Sequence, residues 1–168
     1  MKRLVNDLMK QLDLTRFPVV TPQTSVSKAV EQMWAYDSGA VLVVDRGSVS
    51  GIFSDRDFLK MSANARHAIF IEQSIETHMT REVLYVTPEY SLEECLIVMS
   101  EKNLRNLPVL VDSQPIALLC QGHITSVLVK DKQHMIDELT QYISGSSTLA
   151  SRGQTRSARI VESASISP

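Results

Sequence analysis

The chain has 168 residues, of which 43 % are apolar and 21 % charged, with a net charge of −2 and a pI of about 6.1. That much apolar material supports one domain core or two small ones and excludes a wholly disordered chain. With no basic excess to grip a phosphate backbone, and no apolar run near the roughly 18 residues of a membrane span, nucleic acid and membrane are excluded as partners.

The first residues, Met1 to Asp7, turn polar too quickly for a signal peptide. An extended segment follows at Val20-Thr21-Pro22, because proline pushes its predecessor out of helical angles. Val26, Ala29, Val30 and Met33 then share one stripe of a predicted helix that Trp34 and Tyr36 end. Val41 to Val44, closed by Asp45, reads as a buried strand. Arg46-Gly47-Ser48 reads as a turn, and Val49 to Phe53 as a second strand, with a helix beginning near Ser54.

After a connecting segment, Met61 to Arg81, the pattern repeats at a shift of 66 positions, from Val20 to Val86. Val86-Thr87-Pro88 echoes Val20-Thr21-Pro22, and Leu92, Cys95, Leu96 and Met99 match the first stripe. Ser91-Leu92-Glu93-Glu94 is a capping-box pattern. Val109 to Val111, closed by Asp112, and Ile116 to Leu119 are the matching strands, joined by a turn at Ser113-Gln114-Pro115, and a helix begins near Cys120. A last helix runs to Ile143, with Gly145 as its stop. Serine-rich sequence with Arg152, Arg156 and Arg159 then reads as a flexible tail.

Gly51-Ile52-Phe53-Ser54-Asp55-Arg56-Asp57-Phe58-Leu59 carries the sharpest motif: glycine, two apolar residues, Ser, two variable residues, Asp and an apolar residue. With Asn106-Leu107-Pro108-Val109, Met79-Thr80 ahead of Val83, and the closing stretch Ile136 to Gly145, it resembles the tandem CBS (cystathionine β-synthase type) domain pair, or Bateman module, of small stand-alone proteins. The resemblance covers about residues 15 to 145. It implies an α+β fold of two CBS units, each a small mainly β sheet flanked by two helices, packed with pseudo-twofold symmetry. The expected division is repeat 1 at 15–72, repeat 2 at 73–145 and the tail at 146–168. The resemblance further implies a non-catalytic regulatory module that binds AMP, ADP, ATP or S-adenosylmethionine between the repeats. It would signal to a separate regulated protein and pair into a disc-like homodimer.

Carried onto this sequence, the resemblance makes Asp57 the carboxylate that accepts both ribose hydroxyls, with Ile52, Ser54 and Arg56 beside it. Charged acceptors make the stronger hydrogen bonds, and a helix N-terminus favours anions. Val83 and Leu84 would wall the adenine, while Leu104, Arg105 and Asn106 line the opposite edge, with Arg105 a candidate phosphate contact. Ser54-x-x-Asp57 is equally a helix cap, and the two roles are compatible.

A second cleft would use Val19, Val20, Gly39 and Ala40, with Cys120 and His123 at the positions of Ser54 and Asp57. Imidazole has one acceptor nitrogen and cannot receive both ribose hydroxyls, so this site reads as degenerate and the chain as having one competent site. Cys95 and Cys120 lack zinc-site spacing and suit a reducing cytoplasm. His67, His78 and His134 are scattered, so no metal is expected. Cys120 beside His123 forms no known nucleophile turn, and no Walker-type glycine loop is present, so no catalytic residues or cofactor are assigned. The alternative to a ligand sensor is a ligand-independent interaction or oligomerisation subunit.

Overall fold

In a computed structural model, residues 2–64 and 71–143 are described; the expected tail, Gly145 and His67 lie outside them. Among the described residues, those up to Lys132 form one compact unit, and Gln133 to Ile143 belong to a second.

The elements follow the sequence stripes. Helix α1 (Val5–Gln11) precedes strand β1 (Val19–Val20), helix α2 (Val26–Ala35), strands β2 (Ala40–Asp45) and β3 (Ser48–Ser54), and helix α3 (Asp55–Asn64). A 3-10 turn (Ile75–Thr77) leads to helix α4 (Leu92–Glu101), strands β4 (Asn106–Val111) and β5 (Gln114–Cys120), and helix α5 (Gln121–Ile143). β1 runs parallel to β2, which pairs antiparallel with β3. β4 and β5 form the matching antiparallel pair, and a lone parallel bridge from Val86 to Val109 stands where β1 meets β2 at Val20 and Val43. This is the α+β architecture with pseudo-twofold repetition that the sequence implied.

Both hairpins close on two left-handed residues, Arg46 and Gly47 (φ 49° and 85°) and then Asp112 and Ser113 (φ 48° and 65°). Such tight loops suit the right-handed twist of the flanking strands. The second turn is therefore Asp112-Ser113, not Ser113 to Pro115; Pro115 already lies in β5, beside a register irregularity in its pairing with β4.

Each core is completed from outside its own strands. Val20, Val26, Ala29, Met33, Val41, Val43 and Phe53 pack with Ile75 and Met79 from the connecting segment. Val86, Leu92, Cys95, Met99, Leu107, Val109, Leu119 and Ile124 pack with Val5, Leu8 and Leu14 from the N-terminus. The same backbone bonds recur at both joints: Ile75 N–H donates to Thr24 C=O at 2.9 Å and Val5 N–H to Tyr90 C=O at 2.8 Å. Helix α1, too short for the sequence to announce, thus seals the second repeat, and Met79 closes the first. Gly51 permits that closure, since a Cβ there would lie 2.6 Å from Met79 Sδ and 3.1 Å from Thr80 O.

Ala40, Leu42 and Leu118, with Phe17 and Ile52 against them, form a small apolar cluster where the two repeats meet. In the second unit, residues 133–143 continue α5, are exposed throughout, and carry the pairs Gln133–Asp137 at 2.9 Å and His134–Glu138 at 3.1 Å. No helix among the described residues is long and apolar enough to cross a membrane.

Candidate functional site

Helix α3 begins where β3 ends, so Ser54 and Asp57 meet at its N-terminus. Ser54 donates twice to Asp57 Oδ2, from its N–H at 2.9 Å and its Oγ–H at 2.7 Å, and Asp57 N–H returns a bond to Ser54 Oγ at 3.4 Å. This is a reciprocal cap of the kind Ser91 and Glu94 make on α4. The capping reading of Ser54-x-x-Asp57 is therefore realised. It engages Oδ2 and holds the carboxylate in one orientation, and among the described residues Oδ1 makes no hydrogen bond.

Around this carboxylate lies a cleft of about 220 Å³. The structure brings all nine residues of the first set to its walls: Ile52, Ser54, Arg56 and Asp57 from β3 and α3, Val83 and Leu84 from the segment before Val86, and Leu104, Arg105 and Asn106 at the start of β4. Val83 is half-buried and Leu84 exposed, giving an apolar lip. Sequence reasoning missed Lys60, Glu82, Lys102 and Asn103, which also line the cleft. Charge alone gave no signal for them, since long side chains are spread over the whole surface.

Arg56 turns out to bridge the repeats. Its guanidinium donates to the carbonyl of Asn103 at 2.8 Å and to Asn103 Oδ1 at 3.4 Å. Asn103 offers both acceptors because it sits in the left-handed region at φ 54° after α4. Arg105 Nη1 lies 3.4 Å from Asp55 Oδ2, an exposed ion pair on the wall of the same cleft.

A second cleft of about 520 Å³ occupies the pseudo-symmetric place. Of the residues assigned to it, Gly39, Cys120 and His123 line it. Val20 and Ala40 do not: Val20 is buried with the first core and Ala40 at the junction of the repeats, and Val19 belongs to the strand pairing of β1 rather than to the lining. Phe17 and Pro18 stand there instead. The 66-residue shift carries Val83 and Leu84 onto Phe17 and Pro18, so the repeat itself contained the correction.

At the entrance of α5, Cys120 Sγ accepts the N–H of His123 at 3.4 Å, a thiol version of the Ser54 cap. Burial holds the His123 imidazole below its ordinary pKa, and its Nδ1 has no hydrogen-bond partner. Burial raises the Cys95 thiol to about 11, which leaves it an inert core residue. Among the described residues no group of three His, Cys, Asp or Glu is placed to hold a metal ion.

Comparison with known proteins matches the CBS domain family model to residues 5–64 and 73–130. The mitochondrial CBS domain-containing protein CBSX3 of Arabidopsis thaliana is 28 % identical over 131 residues, 74 % of this chain and 63 % of that protein. The chain spans about three fifths of the length of the first curated relatives it matches, 60 % and 63 %. Among solved structures, a signal-transduction protein with CBS domains from Burkholderia ambifaria MC40-6 is 32 % identical, with TM-score 0.67, over 74 % of this chain and 91 % of its own. CBSX2, solved in complex with AMP, is 26 % identical, with TM-score 0.64, over 77 % and 98 %.

Proposed function

The chain belongs to the CBS-domain family, and from that premise we propose that it binds an adenosine-containing ligand in the Asp57 cleft and relays that binding to a partner protein. CBS-domain proteins of this type are regulatory, non-catalytic modules. The observation that carries the reading is the fixed Asp57 carboxylate at the mouth of α3. One oxygen is committed to the cap, and Asp57 shares the cleft with the apolar Val83 and Leu84. The AMP found in the related CBSX2 supports the ligand class.

The cleft volume, about 220 Å³, falls short of the roughly 300 Å³ at the lower end of ligand pockets. It suits the nucleoside portion, with phosphates at the rim where Lys60, Lys102 and Arg105 are exposed. Lys60, Lys102 and Arg105 outnumber Glu82 and Asp55 there, a balance that favours phosphates over the cationic sulfonium of S-adenosylmethionine. A bound ligand touching both repeats shifts their arrangement only by its differential affinity for the two states.

Thermal melts with adenosine, AMP, ADP, ATP and S-adenosylmethionine test the proposal. A ligand at a hundredfold excess over its Kd stabilises by about 2.7 kcal/mol, and the adenine nucleotides are expected to do so. If no member of the panel moves the melting temperature, the ligand-sensing reading is lost.

A second reading, assembly through an exposed face, is favoured by Trp34, 88 % exposed on α2 beside Val30 and Phe58. It predicts a dimer in sedimentation that Trp34→Ala dissociates, with no ligand required.

A further inference from the structure

The wall between the two clefts is held by backbone bonds that occur twice. Asp55 N–H donates to Gly39 C=O at 2.9 Å, and Gln121 N–H donates to Arg105 C=O at 3.0 Å. These are the same bond at the 66-residue shift. The side chains on this seam are not symmetric. Asp55 faces Arg105 as an ion pair, while their counterparts Gln121 and Gly39 carry no charge. Since the uncharged half of the seam closes with the same bond, the ion pair is not needed to close it.

The pair is also weakly made. Its single contact is 3.4 Å, and the Arg105 and Asp55 side chains are 66 % and 46 % exposed. Both residues nevertheless line the Asp57 cleft. Exposed pairs of this kind contribute little, and a phosphate group offers arginine a bidentate, more highly charged partner.

We propose that Asp55 is a specificity-determining residue. It competes with a ligand phosphate for Arg105 and so sets how strongly the cleft prefers a nucleotide over its nucleoside. The inference rests on the ligand reading above. When a phosphorylated ligand enters, the guanidinium leaves the carboxylate for the phosphate. When the ligand ends at the ribose, the pair stays closed. Arg56, bound to the Asn103 carbonyl, does not take part in this exchange.

The experiment is a double-mutant cycle read as the ratio of AMP to adenosine affinity, measured by calorimetry on the full chain. Asp55→Gln installs the side chain that the second repeat tolerates at the same position, which guards against misfolding; Asp55→Asn is the second variant. Either is expected to raise the ratio by about two- to fivefold, the scale of an exposed ion pair. Arg105→Gln is expected to lower it, and Asp55→Gln in the Arg105→Gln background to leave it where Arg105→Gln put it. An equal rise in both backgrounds would mean that Asp55 acts only through its general field, and overturns the competition. No change on Asp55→Gln overturns it as well, while leaving the ligand reading intact. Failure of the wild-type chain to bind either AMP or adenosine overturns both.

Discussion

On the proposed reading Asp57 has two separable jobs, and substitutions at Asp57 and Ser54 divide them. In the folded chain Oδ2 serves the cap, through bonds of 2.9 and 2.7 Å from Ser54, and Oδ1 is assigned to the ligand. Asp57→Asn keeps an oxygen that accepts from Ser54 but puts an NH2 donor in place of the second acceptor. Its stability cost should stay below the ~1 kcal/mol typical of losing a cap. Its ligand cost should be larger, because a charge-assisted hydrogen bond contributes about 1.5–3 kcal/mol, or roughly 10- to 150-fold in Kd. At a concentration that stabilises the wild type by about 2.7 kcal/mol, the ligand would then stabilise Asp57→Asn by only ~0.3–1.4 kcal/mol. For a chain of this size, ~1 kcal/mol corresponds to about 2–4 °C in Tm. The wild-type shift of about 5–11 °C thus falls to about 1–6 °C, while the ligand-free Tm moves by no more than ~4 °C. Ser54→Ala should do the reverse, costing the cap's ~1 kcal/mol while retaining most of the ligand shift. Differential scanning fluorimetry of the three proteins with and without AMP reads all six values. If Asp57→Asn keeps the full ligand shift while Ser54→Ala abolishes it, the division of the two carboxylate oxygens is wrong.

Four further outcomes are expected from the packing and the titrating groups. Leu8→Ala, at a fully buried side chain of α1 in the second core, should cost about 2–5 kcal/mol in urea unfolding, a penalty not expected of a dangling N-terminus. Gly51→Ala should cost about 1–3 kcal/mol by overpacking, because the new methyl meets Met79 Sδ and the Thr80 carbonyl; Ala117→Gly at the equivalent position should not show that clash in the same assay. Hydrogen bonds from Ser91 hold Glu94 at about 2, against an ordinary 4.5. A depressed carboxylate stabilises the fold above its unfolded pKa, so this contribution is lost as pH falls from 4.5 toward 2, and Glu94→Gln should flatten that limb of a melting-temperature profile. Burial depresses His123, so its neutral form adds a loss of stability as pH falls below 6.5, which His123→Asn should remove.

The repeat was legible because its signals are local. Stripes such as Val26, Ala29 and Met33 declare a helix within one segment, and the run Val41 to Val44 declares a buried strand. The Ser91–Glu94 and Ser54–Asp57 caps join residues three positions apart, well within reach of a motif. The nine residues of the first cleft were carried over from the resemblance to the CBS domain, position by position around the Gly51 to Leu59 motif, and all nine line the cleft. The second cleft was misplaced where that step was not applied, and Phe17 and Pro18 fill it in place of Val19 and Val20.

Tertiary structure alone decided which segment completes which core. Val5 and Leu8 pack against Leu92 and Val109, and Ile75 and Met79 against Val26 and Phe53, because each sheet must bury its open face against whatever apolar segment passes it. It also decided that Arg56 binds the Asn103 carbonyl and that Arg105 meets Asp55. Such contacts join residues dozens of positions apart, and their geometry depends on a left-handed φ at Asn103 and a seam between two repeats. Periodicity records which face of a helix or strand is buried; it carries no term for the partner that buries it.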